Sequence, residues 1–245
     1  MDGQHRFWQR ALRFLSLGIP SGNVPSALAD GEHSFQQEMW LRTLRKEQQK
    51  KQIDMSMSLD EVTFMIIDME TTGFSPQHGD EILAMAAAKT VRGTVKETYY
   101  TLVCPEKAIP PHISALTGIT AKDVQYAPRL HEALRSFLSF ISGGVMIGYH
   151  IGHDLAFLNH FLWTHYRTKW AARFFDMQPI VEMVQRRWFP TLDDALGHYG
   201  ISCERRHTAD GDVWAMAELW AQLLAELKRN NIETLYDLYS ALGKR

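Results

Sequence analysis

Short apolar runs and one turn signal in the middle of the chain predict a β-sheet. Residues 62–67 form a continuous apolar run, as expected of a buried strand. Two further runs, residues 81–91 and 94–103, are separated only by Arg92 and Gly93, which is typical of a hairpin. The apolar stretch within residues 81–91 favours a helix by propensity, but its short hairpin partner makes a strand the better interpretation. Three strands joined by short turns predict an antiparallel meander.

Amphipathic segments alternate with short apolar runs in the rest of the chain. Strands are predicted over residues 144–148 and 174–175. Helices are predicted over residues 129–141, 154–166, 179–187, 192–199, 209–228 and 232–242. A meander followed by alternating strands and helices predicts an α/β domain with a mixed sheet.

The first 58 residues have a pattern of their own. Apolar residues lie at roughly helical spacing over residues 7–15, and residues 19–23 break that spacing. A second helical stretch, residues 35–53, ends in a polar, basic run over residues 42–51. We interpret the run mainly as a solvated helix face, with a nucleic-acid or protein contact as the alternative. The pattern predicts a helical N-terminal extension, residues 1–58, and a separate domain of residues 59–245 that includes the C-terminal helix.

Composition narrows the class of protein without selecting a function. Of 245 residues, 45% are hydrophobic and 22% are charged, as in soluble globular proteins. The net charge of −2 gives no overall basic signature, so a nucleic-acid partner would need a local patch. Cys104 and Cys203 form no disulfide framework, and no apolar run approaches the length of a membrane span. These features predict a cytoplasmic protein with no membrane partner.

Two carboxylates at the end of the first predicted strand are candidates for metal chemistry. Asp68 and Glu70 are two residues apart, so on a strand they point to the same face. Like charges placed side by side repel unless a cation lies between them, and Mg²⁺ and Mn²⁺ prefer oxygen ligands. Residues 71–73, Thr-Thr-Gly, allow a tight turn close to a substrate. The alternative is an exposed strand end with two solvated acids, which the apolar strand before it disfavours.

Further acids open two of the predicted helices. Asp154 follows the strand over residues 144–148, and by itself a helix N-cap is its simpler interpretation. His207, Asp210 and Asp212 open the long helix, where acids also complement the helix dipole. Two acids with a histidine at helical spacing exceed what a cap requires.

Together these motifs resemble the DEDDh family of 3′→5′ exonucleases, which includes the proofreading epsilon subunit of bacterial DNA polymerase III, ribonuclease T and oligoribonuclease. Residues 68–73 match the family's Asp-x-Glu-Thr-x-Gly, Asp154 matches its second aspartate, and His207 with Asp212 matches His-x₄-Asp. Residues 113–120 and 192–196 resemble segments between the motifs, and the resemblance covers about residues 60 to 228. It implies a ribonuclease H-like fold: a mixed five-stranded sheet flanked by helices.

The resemblance also implies an activity. The implied activity is that of a 3′→5′ exonuclease, which removes nucleoside 5′-monophosphates from the 3′ ends of nucleic acid, with DNA favoured. The implied mechanism is two-metal phosphodiester hydrolysis. The implied cofactors are two Mg²⁺ or Mn²⁺ ions held by Asp68, Glu70, Asp154 and Asp212, with Asp68 bridging both ions and Asp154 acting mainly through water. His207 is implied as the general base. The implied partner is a single-stranded or frayed 3′ end of DNA or RNA.

Substrate contacts are predicted around the first two motifs. The residues implied are Met69, Thr71, Thr72, Gly73, Phe74, His150, Phe157 and His207. Phe74 and Phe157 are candidates for stacking on a base, with a core role as an equal alternative. The family often has His-Asn-x-x-Phe before its second aspartate, whereas residues 149–153 are Tyr-His-Ile-Gly-His here. The substrate side of the site therefore departs from the family pattern.

Several alternatives remain open on sequence alone. The chain could be an RNA-trimming exoribonuclease, or a proofreading or accessory subunit bound to a polymerase or another replication or repair protein through residues 1–58. A non-catalytic binding module is disfavoured because the acid set is complete. A zinc site is suggested by His150, His153, His160 and His165, or by His198, Cys203 and His207, but neither set has the paired spacing of structural zinc sites.

Overall fold

The computed structural model describes residues 54–170 and 172–243. The described residues belong to a single compact unit. The helices predicted for the N-terminal extension and its basic run over residues 42–51 lie outside the described residues. In the part of the chain that is described, no helix is long and apolar enough to cross a membrane.

Five strands form one mixed sheet in the order β3-β2-β1-β4-β5. The strands are β1 (Phe64–Thr71), β2 (Ile82–Val91), β3 (Thr94–Leu102), β4 (Val145–Gly148) and β5 (Phe174–Asp176). The first three pair antiparallel, whereas β1 with β4 and β4 with β5 pair parallel. The predicted meander and the mixed five-stranded sheet are therefore confirmed.

Eight helices occur among the described residues, together with a short 3₁₀ turn at Pro76–His78. They are α1 (Pro111–Thr117), α2 (Ala121–Val124), α3 (Leu130–Ile141), α4 (Gly152–Tyr166), α5 (Met177–Gln185), α6 (Leu192–His198), α7 (Ala209–Arg229) and α8 (Leu235–Leu242). The six predicted helices are present with ends shifted by up to three residues. The first two were not predicted as helices, because one or two turns are too short to show a helical period.

The second strand is buried on both faces, which explains why it is a strand despite its helix-forming residues. Its residues from Ile82 to Ala88 are all buried. Ala84, Ala86 and Ala88 belong to the same core cluster as the apolar residues of α7, and their small side chains let that helix lie close to the sheet. The edge of the Trp220 ring then meets Phe64 of β1 at a centroid distance of 4.7 Å. Tertiary packing thus overrides the helix propensity of alanine.

Residues just before the first strand are held by the start of α8. The backbone N–H of Leu59 donates to the carbonyl of Glu233 at 2.8 Å, and the N–H of Tyr236 donates to the carbonyl of Met55 at 2.8 Å. The chain ends of the described unit are therefore joined by backbone hydrogen bonds.

The parallel pairing places three strand ends at one edge of the sheet. β1, β4 and β5 all run in the same direction, so their carboxyl ends meet there. The predicted acidic motifs occupy these ends and the helices that follow them. We call this the acidic edge and define it by Asp68, Glu70, Asp154 and Asp212.

Candidate active site

Three carboxylates converge at the acidic edge. Asp68 and Glu70 lie two residues apart on β1, and Asp212 comes from the first turn of α7. One carboxylate oxygen from each lies within 4.8 Å of the others. Across residues 54–170 and 172–243, this is the one group of three acidic, histidine or cysteine side chains with such spacing.

The fourth acid lies beside this group rather than capping its helix. α4 begins at Gly152, two residues before Asp154, and Ile151 is the N-cap. Asp154 is only 4% exposed, and the backbone N–H groups of Asp154 itself and of Met69 on β1 favour its ionised form. The carboxylate also acts electrostatically on Asp68. The simpler interpretation of Asp154 as a helix cap is therefore wrong.

Burial and mutual repulsion make the acidic edge electrostatically unfavourable without a cation. Burial, followed by the charges of Asp154 and Glu70, raises the pKa of Asp68 well above its ordinary value. Burial and then Asp212 raise the pKa of Glu70 to about 7. Burial also raises the pKa of Asp154 and of Asp212. Each shift means that the ionised form is disfavoured in the absence of a compensating positive charge.

One such charge is supplied by Arg206, which the sequence analysis did not single out. Its Nη1 forms an ion pair with Oδ1 of Asp212. Its Nε donates to Oδ1 of Asp193 at 2.6 Å and its Nη2 to Oδ2 of the same carboxylate at 3.3 Å. The guanidinium therefore joins the start of α6 to the acidic edge.

A tight loop brings His207 next to Asp212. His207 has a φ of 60°, and its backbone N–H favours the ionised form of Asp212. Thr208 caps α7 by accepting the N–H of Gly211 at 3.2 Å. A side chain at Gly211 would collide with the carbonyl oxygen of Arg205. The glycine between the two acids thus lets the histidine loop lie directly on the first turn of the helix.

The Thr-Thr-Gly segment after the two β1 acids forms a rigid turn. The Thr71 hydroxyl donates to the carbonyl of Gly73 at 2.7 Å, and the Thr72 hydroxyl accepts the N–H of Glu81 at 2.9 Å. A Cβ at Gly73 would collide with the carboxylate of Asp80. Phe74 follows and is 87% exposed, which removes the core role considered for it.

His153 links this turn to the second motif, and sequence analysis did not place it in the site. Its ring meets Phe74 and Phe157 edge-on at centroid distances of 5.5 and 5.0 Å. Its Nε2 lies 3.2 Å from the Thr71 hydroxyl, and burial lowers the pKa of the imidazole. Its position directly before Asp154 was the one available signal.

Two residues predicted as substrate contacts are buried. Phe157 is 3% exposed, and its ring meets that of His153 at a centroid distance of 5.0 Å. The Met69 side chain is 5% exposed, and its backbone N–H favours the ionised form of Asp154. Periodicity could not separate these buried positions from the exposed ones beside them.

Three of the histidines considered for zinc, and the cysteine, have other partners. His150 is exposed at the end of β4, with its Nε2 2.9 Å from Oε1 of Gln178. His165 stacks on Phe161, and His198 lies 3.1 Å from Oε1 of Gln185. The Cys203 thiol donates to the carbonyl of Gly211.

The acidic edge fits a hard divalent cation. Its donors are carboxylate oxygens that lie close together and are short of positive charge, which is the ligand set that Mg²⁺ and Mn²⁺ prefer. A buried cluster of like charges is stable only when paired with cations or protonated.

A ribonuclease H-like sheet with a carboxylate cluster at its parallel strand ends defines a nuclease-type fold. The Exonuclease family model matches residues 65–220, more than half of the chain. This protein belongs to the exonuclease family, and the resemblance to the DEDDh exonucleases is confirmed.

Two relatives of known family show how much of this chain, and of their own chains, the sequence similarity covers. The chain is 36% identical over 187 residues to a DNA polymerase III subunit epsilon-like protein of Rhodobacter capsulatus, covering 72% of this chain and 26% of that protein. It is 30% identical over 182 residues to DNA polymerase III subunit epsilon of Aquifex aeolicus, covering 72% of this chain and 88% of that protein. The chain thus spans about a quarter of the first relative and most of the second.

Solved structures share the fold at low identity. The nuclease domain of 3′hExo, a DEDDh family member bound to rAMP, aligns with a TM-score of 0.59 at 18% identity, covering 71% of this chain and 95% of that domain. Exonuclease X in complex with 5′ overhanging duplex DNA aligns with a TM-score of 0.55 at 16% identity, covering 66% of this chain and 91% of that chain. These likenesses support the ribonuclease H-like fold.

Proposed function

We propose that this protein is a metal-dependent 3′→5′ exonuclease that removes nucleoside 5′-monophosphates from the 3′ end of nucleic acid, with DNA favoured. The observation that carries the proposal is the convergence of Asp68, Glu70 and Asp212, with Asp154 beside them, in a chain of the exonuclease family. The epsilon relatives favour DNA as the substrate.

The four acids are proposed to hold two Mg²⁺ or Mn²⁺ ions. Bound cations would stabilise the negative charge on the attacking and leaving oxygens of the phosphodiester. The backbone N–H of Met69 favours the ionised form of Asp154, and that of His207 favours the ionised form of Asp212. β1 and the loop before α7 therefore support two of the four acids in the form that binds metal.

His207 is proposed as the general base. It lies in the loop before the first turn of α7, where its charge acts on Asp212, and its side chain is half-buried. From that place its imidazole would take the proton of the water that attacks the terminal phosphodiester. Its left-handed backbone conformation is an example of local strain at a functional position.

The terminal nucleotide is proposed to lie against the turn formed by residues 71–74. The side chains of Thr71 and Thr72 are bound within the turn, so the turn is rigid before substrate arrives. Phe74 is exposed at its tip with His153 beneath it, which makes a platform for a base. His150, exposed at the end of β4, is proposed to contact the strand from the opposite side.

The proposal is tested with a 5′-labelled single strand resolved at nucleotide resolution. With Mn²⁺ or Mg²⁺, the full chain is expected to give a ladder that shortens from the 3′ end, with nucleoside 5′-monophosphates released. A strand that stays intact under both metals would contradict the proposal. Parallel reactions with duplex DNA and short RNA test the preference for DNA, and faster loss of RNA would favour the RNA-trimming alternative.

A polymerase or another replication or repair protein, bound through residues 1–58, stays a prediction. Its support is the likeness to epsilon subunits of DNA polymerase III. The division at residue 58 and a cytoplasmic location, in keeping with the free thiols of Cys104 and Cys203, are proposed on the same footing. The mass of the chain with and without residues 1–58, measured by size exclusion in the presence of a candidate partner, tests the partner prediction. Cell fractionation tests the cytoplasmic location.

A further inference from the structure

Arg206 occupies an unusual place for an arginine next to a metal-ligand set. Its side chain is only 20% exposed, and its guanidinium is shared between Asp212, whose side chain is 9% exposed, and Asp193. The positive charge also acts on Asp68 and Glu70, where it opposes the repulsion among the acids. It is a cation supplied by the protein itself at the acidic edge.

The two carboxylates that hold Arg206 come from different elements. Asp193 lies in the first turn of α6 and Asp212 in the first turn of α7, and the guanidinium spans both. Because Arg206 directly precedes His207, this bridge also fixes one end of the histidine loop. Two carboxylates and a partly buried position leave the side chain little freedom to leave the site.

The neighbouring arginine makes a similar ion pair without entering the site. Nη1 of Arg205 lies 2.7 Å from Oδ2 of Asp210, but the Arg205 side chain is 60% exposed. Both arginines therefore carry one charge, belong to the same loop and pair with an acid of the same helical turn. Only Arg206 contacts a carboxylate of the metal-ligand set, which makes Arg205 a matched control.

We propose that Arg206 is a positioning residue that acts as an internal counter-cation: it holds Asp212 and the histidine loop in place without metal, and it lowers the affinity of the acidic edge for divalent cations. This inference rests on the metal site of the proposed function. A guanidinium paired with one Asp212 oxygen stabilises that carboxylate in its ionised form. The same positive charge repels a divalent cation that uses the remaining carboxylate oxygens.

The two effects predict opposite consequences of removing the charge. Without Arg206, the acidic edge is more negative, so a metal ion binds more tightly. Without metal, the same change leaves the acids uncompensated, so the apoprotein is less stable. A purely structural role would lower stability and leave metal affinity unchanged or weaker.

The experiment compares the parent full chain with Arg206→Gln, Arg206→Lys and Arg205→Gln. Mn²⁺ affinity is measured by calorimetric titration, and melting temperature is measured with chelator and at increasing Mn²⁺. Arg206→Gln is expected to bind Mn²⁺ roughly tenfold more tightly, which corresponds to about 1.4 kcal/mol. Its melting temperature is expected to be lower in chelator and to rise more steeply with Mn²⁺, because ligand binding stabilises by mass action.

The other variants separate charge from geometry. Arg205→Gln is expected to match the parent in both measurements, and Arg206→Lys, which keeps the charge, is expected to stay close to the parent in Mn²⁺ affinity. Equal or weaker Mn²⁺ binding by a folded Arg206→Gln overturns the inference. So does a failure of Arg206→Gln to fold at any Mn²⁺ concentration, since metal is expected to replace the missing charge. Absence of Mn²⁺ binding by the parent would instead overturn the metal site itself.

Discussion

The carboxylates at the acidic edge and those at the starts of three helices differ in their surroundings and in the direction in which their pKa values shift. The helix starts are capping boxes, in which a threonine and an aspartate exchange hydrogen bonds: Thr120 with Asp123, Thr191 with Asp194, and Thr234 with Asp237. Hydrogen bonds from the threonines lower the pKa of Asp123 and of Asp237. At the acidic edge, burial raises the pKa of every carboxyl group, and neighbouring acids raise the pKa of Asp68, Glu70 and Asp154 further.

The difference shows which acids serve the fold and which are arranged for something else. The capping aspartates are exposed or half-buried, bonded to N–H and O–H donors and stable when ionised. An acid at the edge is stable in its ionised form only if a cation joins it. Groups of strongly perturbed acids in one place are a signature of functional sites. The same type of substitution, made once at the acidic edge and once in a capping box, therefore tests whether the two groups of acids differ in role.

The largest expected effect is the loss of activity in Asp68→Ala. Asp68 on β1 is the acid on which the other three all act, and its removal takes away one of the proposed metal ligands. Degradation of a 3′-labelled single strand with Mn²⁺ is expected to stop. Asp237→Ala, which removes a capping acid, is expected to keep the parent rate. Comparable rates in the two variants would erase the distinction between the groups.

The second effect separates proton transfer from metal binding. His207→Ala is expected to lower kcat by roughly 10²–10⁴-fold, as loss of a general base does, while Mn²⁺ affinity is retained. Single-turnover rates at saturating Mn²⁺ measure the change. His131→Ala, an exposed histidine on α3, serves as the control. An unchanged rate for His207→Ala would remove this residue from the mechanism.

The third effect is a pH dependence of stability with opposite signs in the two groups. The folded-state pKa of Glu70 is about 7 and its ordinary value is 4.5, so the folded apoprotein binds more protons between these values. Stability in chelator is therefore expected to fall as pH rises through this window, by roughly 3 kcal/mol at most. The lowered pKa of Asp237 contributes stability above its ordinary value of 3.8 that is lost only as pH falls below it.

Denaturation with urea from pH 4 to pH 8, with and without Mn²⁺, measures this dependence. The Glu70→Gln variant is expected to flatten the decline between pH 4.5 and 7. Added Mn²⁺ is expected to reverse it, because metal binds the ionised carboxylates. Apoprotein stability that rises steadily across that window would show that the acids are not held in a repulsive cluster.

A smaller effect is expected at the exposed platform. Phe74→Ala removes a ring that is 87% exposed, and loss of base stacking typically costs about 1–3 kcal/mol. The KM for a single strand is expected to rise while Mn²⁺ affinity stays the same. Tyr239→Ala on α8, where the side chain is 63% exposed, is the control for loss of a surface aromatic. Equal KM values for both variants would assign Phe74 no substrate contact.

The smallest effect belongs to the capping group. Thr234→Ala removes the hydroxyl that accepts the N–H of Asp237 at 3.1 Å, and loss of such a cap costs about 1 kcal/mol. Urea denaturation is expected to show this loss with unchanged exonuclease rates. A rate change of more than twofold would mean that the end of the chain is coupled to the active site.

The sequence predicted the sheet well because its signals are local. The apolar run before Asp68 specifies β1, and the hairpin turn at Arg92 and Gly93 joins β2 to β3; all three strands are present. It did not predict α1 or α2, because a proline start and a single capping box set helices too short to show a period. Local chemistry, rather than patterning, determines these two elements.

The acids of the site could be found from spacing, but their partners could not. Asp68 and Glu70 share a strand face, so their proximity follows from a period of two. The bridge from Asp193 through Arg206 to Asp212 joins residues from two helices and a loop, and no periodicity relates them. The same holds for His153, which reaches Thr71 across 82 residues of chain. Such contacts depend on how the elements pack.

The most direct test of the account is a calorimetric Mn²⁺ titration of the parent, Asp68→Asn and Asp237→Asn. Each substitution removes one negative charge with almost no change in shape, one at the acidic edge and one in a capping box. The parent and Asp237→Asn are each expected to bind two ions, with affinities that do not differ between the two proteins. Asp68→Asn is expected to lose this binding. Equal Mn²⁺ binding by Asp68→Asn and the parent would contradict the claim that the acidic edge is the metal centre of an exonuclease.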